Sequence, residues 1–111
     1  MLFRSVFSMG GPPGLQATAY VIRLYSQVKD RPHIREAHQY VRSAIHDVGS
    51  VDSFERICKS LALDTNIGRL IMIYLYALEL KQILPEKTVE INRIHDQCLE
   101  TGVLELGSGY M

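Results

Sequence analysis

A chain of 111 residues, 47% of them hydrophobic, fits one domain with a packed core and is too apolar for a disordered segment. Its formal net charge is zero, so the molecule as a whole is not an electrostatic binder of nucleic acid. The charge is unevenly placed, however: residues 1–48 hold six Lys/Arg against three Asp/Glu, and residues 49–111 hold six against nine. The first half therefore suits an acidic partner.

Residues 1–16, MLFRSVFSMGGPPGLQ, carry Arg4, Ser5 and Ser8 and no acid; the first acidic residue is Asp30. That composition is the one expected of a mitochondrial presequence, and the apolar stretch is too interrupted for a secretory signal. Gly10-Gly11-Pro12-Pro13-Gly14 is a cluster of helix breakers. Residues 1–14 thus read as a flexible N-terminal segment with targeting character, and residues 15–111 as a single helical domain.

The first helix is expected over residues 15–28. Val21, Leu24, Tyr25 and Val28 fall at i, i+3, i+4 and i+7, one face of a 3.6-residue period. Lys29-Asp30-Arg31-Pro32 is the turn. Pro32 suits the first turn of the next helix, where its missing N–H costs nothing. The second helix is expected over residues 32–48. Ile34, Ala37, Val41, Ala44, Ile45 and Val48 form its apolar stripe, and Arg35, Gln39, Arg42 and His46 a neighbouring polar one. Gly49 is placed to end it.

Asp52 or Ser53 is the expected N-cap of the third helix, with Asp52 and Glu55 at capping-box spacing. Phe54, Ile57, Cys58 and Leu61 begin an apolar face that continues through Ile67, Leu70, Ile71, Tyr74, Leu75 and Leu78. Asp64-Thr65-Asn66 is the point at which this helix could divide. If it stays continuous, Asp64, Thr65 and Gly68 leave a thin spot in the core-facing stripe. Residues 70–78, LIMIYLYAL, are far short of the ~20 apolar residues of a membrane span, so they read as a buried helix. Pro85 opens a fourth, shorter helix expected to run to about residue 101, with Gly102 as its stop. The architecture is all-α: an antiparallel three-helix bundle with a short C-terminal helix and tail.

No phosphate loop, GxGxxG, GxSxG or HExxH is present, so no enzymatic activity is expected. His38 with Arg35 and Arg42 reads as a polar surface face, not a metal site, because no Cys or carboxylate completes it at ligand spacing. Cys58 and Cys98 lack CxxC spacing. They read as buried free thiols, with a disulfide in an oxidising compartment as the alternative. Residues 54–74 have the rhythm of a helix-turn-helix, which makes a DNA-binding regulator a further alternative. The helix that would enter the major groove, IGRLIMIYLYALEL, is almost wholly apolar.

Arg23-Leu24-Tyr25 near the end of one helix, followed by a basic second helix, resembles the LYR-motif superfamily of small mitochondrial proteins. Ser26 stands where the family has arginine, and Arg23 supplies the basic group instead. Tyr40, Arg42 and Ile45, the short loop and the acidic start of the next helix resemble the family's second-helix end. Within the superfamily, four features are similar to the branch containing the assembly factor for the ATP synthase catalytic sector. These are the Arg31-Pro32 turn, Glu55-Arg56 with Cys58, the apolar residues 70–80, and Gly102, Val103, Leu104 and Leu106.

The resemblance implies a non-enzymatic protein of the mitochondrial matrix, or of the matrix side of the inner membrane, that acts by binding proteins. Its partner contacts would be Arg23, Leu24, Tyr25, Arg31, Arg35 and Arg42. The partners it implies are ATP synthase catalytic subunits or mitochondrial acyl carrier protein. No cofactor of the chain's own is expected; an acyl carrier protein would bring acyl-phosphopantetheine, with the thin spot at Asp64, Thr65 and Gly68 as the entry for the acyl chain. A structural accessory subunit of a respiratory complex, ATP synthase or ribosome is the alternative, with residues 70–78 and the tail after Gly102 as docking surfaces.

Overall fold

The computed structural model describes residues 13–64 and 66–109, with side chains over residues 16–64 and 66–104. Most of the segment with targeting character, Thr65 and the side chain of Leu106 lie outside the described residues. Among them the chain is all-helical: α1 (Pro13–Val28), α2 (Pro32–Val48), α3 (Val51–Leu63), α4 (Ile67–Ile83), a short 3-10 helix (Pro85–Lys87) and α5 (Thr88–Gly109).

Local chemistry sets these boundaries. Pro13 and Pro32 open α1 and α2, where a missing N–H leaves no bond unmade. Gly49 ends α2 in the left-handed region, at φ 65°, and donates its N–H to the Ile45 carbonyl. The cap of α3 is Ser50, not Asp52 or Ser53: its hydroxyl accepts from the Ser53 N–H at 3.2 Å. Asp52 instead lies in the first turn, where its charge suits the helix N-terminus.

The expected third helix divides at its weak point. α3 ends at Leu63, and Asn66 starts a new helix by accepting from the Arg69 N–H at 3.0 Å. Asp64 and Gly68 are therefore exposed at a corner, and no thin spot opens in a continuous core-facing stripe. The C-terminal helix is also longer than expected. α5 has 22 residues and continues through Gly102, which is buried along with Val103. A glycine interrupts a helix only if its backbone freedom outweighs the tertiary packing of the turns around it. Burial of Gly102 and Val103 in the bundle tips that balance toward the helix here.

α4 packs against α1, α2, α3 and α5 and is the centre of the fold. Leu70, Ile71, Ile73, Leu75, Tyr76, Ala77 and Leu80 are all buried, as a helix apolar on every side requires. Within residues 70–78 only Met72, Tyr74 and Leu78 are half-buried; the rest are core. α5 packs on α1, α3 and α4. Tyr74 meets His95 and Lys81 meets Asn92, so α4 and α5 run antiparallel. The same order holds for α2 and α4, through His38 on Glu79 and Tyr40 on Tyr76. Phe54, Ile91, Leu99 and Val103 complete a core in which each is fully buried. At ~25 cal/mol per Å² of apolar surface, such side chains contribute roughly 1.5–3 kcal/mol each. No helix among the described residues is long and apolar enough to cross a membrane.

Candidate functional site

The end of α1 and the outer face of α2 enclose a groove of about 230 Å³ lined by Tyr25, Lys29, Arg35, His38, Gln39 and Arg42. Helical spacing builds it. Tyr25 is in the last turn of α1 and Lys29 just after its end; Arg35 with Gln39, and His38 with Arg42, are one turn apart on α2. The short turn between the helices folds the two rows together. Three side chains of fixed positive charge, Lys29, Arg35 and Arg42, therefore converge on one concavity.

A carboxylate from the core helix anchors the groove floor. His38 Nε2 lies 3.1 Å from Glu79 Oε2, and Arg42 Nε is 3.8 Å from the same oxygen. The Glu79 side chain is only 13% exposed. His38 Nε2 is placed to donate to this carboxylate. Nδ1 is then free to accept from the Tyr25 hydroxyl, 3.5 Å away. The Tyr25 ring stands edge-on to His38, with centroids 6.5 Å apart. On its other side it meets Tyr74 at 5.5 Å, and Tyr74 meets His95 at 6.0 Å. A line of rings thus runs from the groove into the core. Burial, then the neighbouring Tyr25, push the Tyr74 phenol above its ordinary pKa.

Of the residues singled out in the sequence, Tyr25, Arg35 and Arg42 meet in the groove. Arg23 and Arg31 are exposed outside it, and Leu24 is half-buried in α1. Ser26 faces solvent and donates its hydroxyl to the Ile22 carbonyl at 3.0 Å. Arg23, three residues before it, lies on the same side of α1. Lys29, Gln39 and Glu79 were not anticipated as site residues. The first two could have been found from their one-turn spacing to Tyr25 and Arg35. Glu79 could not, because it arrives from α4. Although Glu79 joins His38, no group of three or more His, Cys, Asp or Glu among the described residues could hold a metal ion.

A second and larger concavity, about 690 Å³, lies between α3 and α5. Ala62, Leu63 and Cys98 give it apolar walls, with Glu55, Lys59 and Thr101 around them. Leu63 is 87% exposed there. No protein family, curated protein or solved structure matches the chain.

Proposed function

We propose that the chain is a LYR-like, non-enzymatic mitochondrial protein that binds an acidic partner protein and assists assembly of the ATP synthase catalytic sector or another oxidative phosphorylation complex. One observation carries this reading: Lys29, Arg35 and Arg42 converge around Tyr25, immediately after Leu24. A basic rim of this kind steers an acidic partner, while neighbouring apolar contacts add affinity. In the family's terms, α1, α2 and the divided α3–α4 stretch stand for the three arms of the bundle, with α5 added behind them. Mitochondrial acyl carrier protein and ATP synthase catalytic subunits are the partner candidates. The phosphodiester of an acyl-phosphopantetheine arm suits three converging cations, so its phosphate would sit at Lys29, Arg35 and Arg42. Entry of the acyl chain past Asp64 and Gly68 is not supported, since both are exposed at a corner.

A helix-turn-helix regulator is disfavoured by burial. α4, the helix that would read bases, buries seven of its residues in the core. For the accessory-subunit reading, only Met72, Tyr74 and Leu78 of residues 70–78 are partly open to a partner.

Affinity purification of the tagged chain from mitochondria, with mass spectrometry, tests the proposal against an Arg35→Glu/Arg42→Glu variant. The expected result is acyl carrier protein or an ATP synthase catalytic subunit with the unaltered chain and its loss with the variant. Equal recovery of every partner by both chains would exclude the basic groove as the binding site.

A further inference from the structure

Cys58 and Cys98 are the chain's two cysteines, and they meet across the packed pair α3 and α5. Cys98 stands against α3 beside Glu55, Lys59 and Ala62, the residues that flank Cys58 along that helix, and each thiol perturbs the other. A small residue follows each cysteine by one turn, while Phe54 and Ile94 precede them. Ala62 lies one turn after Cys58 on α3, Gly102 lies one turn after Cys98 on α5, and all four are buried. Small side chains at a helix contact let the axes approach closely, which brings two facing cysteines within reach of a bond. The two are not equivalent. Cys58 is fully buried, whereas Cys98 forms part of the wall of the 690 Å³ groove beside Lys59, Ala62 and Thr101. A reagent in that groove meets Cys98 and not Cys58.

We infer that Cys58 and Cys98 form a thiol–disulfide exchange site, in which Cys98 reacts with a low-molecular-weight disulfide of the glutathione type and Cys58 resolves the adduct. In the first step the Cys98 thiolate attacks one sulfur of the disulfide. A bond forms between Cys98 and that sulfur, the disulfide bond breaks, and the other half leaves as a thiolate that takes up a proton. In the second step Cys58 gives up its proton and attacks the Cys98 sulfur. The Cys58–Cys98 bond forms and the second small thiolate leaves, to be protonated in turn. Two protein thiols are oxidised by two electrons, and one small disulfide is reduced to two thiols.

The order of attack follows from the environment of each sulfur. The hydrogen bond from Cys58 holds the Cys98 thiol below its ordinary pKa; Lys59 acts in the same direction, against the effect of burial. Donating that bond, and then burial, push the Cys58 thiol up. Cys98 is the thiol that a reagent in the groove reaches first, and the lowered pKa acts in the same direction.

The test uses the full chain. Reduced protein is incubated with oxidised glutathione, quenched by alkylation, and read by intact mass and peptide mapping. The expected result is loss of both free thiols and a single peptide pair linking Cys58 to Cys98, reversed by excess reduced glutathione. Cys58→Ala is expected to stop at one glutathione on Cys98, and Cys98→Ala to acquire none. Circular dichroism establishes that each variant is folded. If one is not, the time course of the unaltered chain decides, because glutathione on Cys98 must precede the linked pair. Adduct on Cys58 first, disulfides only between chains, or reaction only in unfolding denaturant would each overturn the inference.

Discussion

His38 and Glu79 are joined at 3.1 Å across two helices that are far apart in the chain, so the floor of the basic groove is part of the core helix. The groove cannot be displaced from α4 without breaking that bond. Glu79→Gln keeps the shape and removes the charge that His38 and Arg42 share. The expected cost is about 2 kcal/mol, the value typical of a hydrogen bond to a charged group that is mostly buried. Urea denaturation measures it. A midpoint unchanged from the parent protein would mean that the pair contributes nothing to folding.

His95 makes stability depend on pH. Its Nδ1 lies 3.0 Å from Asp96, but its Nε2 is buried without a partner. Burial lowers its pKa, and the adjacent Asp96 only partly offsets this. The folded chain therefore binds a proton less readily than the unfolded one, whose histidine titrates near ~6.5. The contribution is fully present above that pH and is lost as pH falls toward the folded value. Urea midpoints are expected to fall between pH 8 and pH 5.5. His95→Leu should flatten the slope, and an identical slope in that variant would assign the effect to another group.

The corner between α2 and α3 depends on two adjacent residues. Gly49 has φ 65°, where a Cβ costs roughly 1–2 kcal/mol, so Gly49→Ala should destabilise by that amount. Ser50→Ala removes the cap of α3 and should cost about 1 kcal/mol, while Ser50→Asp should cost little. Equal effects of Ala and Asp at position 50 would show that the cap bond is not what holds the corner.

Asn66 allows the α3–α4 division to be tested in the same way. Asn66→Ala should cost about 1 kcal/mol and Asn66→Gly only a few tenths, because glycine tolerates the cap conformation. Hydrogen exchange at Arg69, whose N–H the Asn66 side chain accepts, should quicken in Asn66→Ala. The Asp64–Arg69 ion pair across the corner is largely exposed, and its loss should be near neutral.

Binding through the basic groove should weaken with salt. If three cations meet an acidic partner, association should slow steeply between low and physiological ionic strength, while dissociation changes less. Kinetics of binding to purified acyl carrier protein or ATP synthase catalytic subunits would read this directly. A salt-independent on-rate would place the contact elsewhere.

The helical reading of the sequence was sound where apolar residues kept a regular period. α2 runs over Pro32–Val48 as the spacing and Gly49 indicated. Where competing local signals were close in strength, tertiary contacts chose between them. Ser50 became the cap because its backbone is extended, a property that side-chain chemistry alone does not reveal. Gly102 reads as a stop, yet it lies buried within α5, where the packing of the surrounding turns outweighs glycine's backbone freedom. In the groove, Tyr25, Arg35 and Arg42 were legible because helical periodicity is a short-range rule. Glu79 and the meeting of Cys58 with Cys98 were not, since neither pairing leaves a trace in spacing along the chain.

The Tyr25 ring on α1 meets Tyr74 on the core helix α4 at 5.5 Å. This sets an order for folding as the chain leaves a ribosome or a translocation pore. α1 and α2 emerge first, but Tyr25 and His38 find Tyr74 and Glu79 only once α4 has appeared. Until then Tyr25 and its neighbours have no floor beneath them. The groove should thus be unable to recruit a partner to a half-made chain.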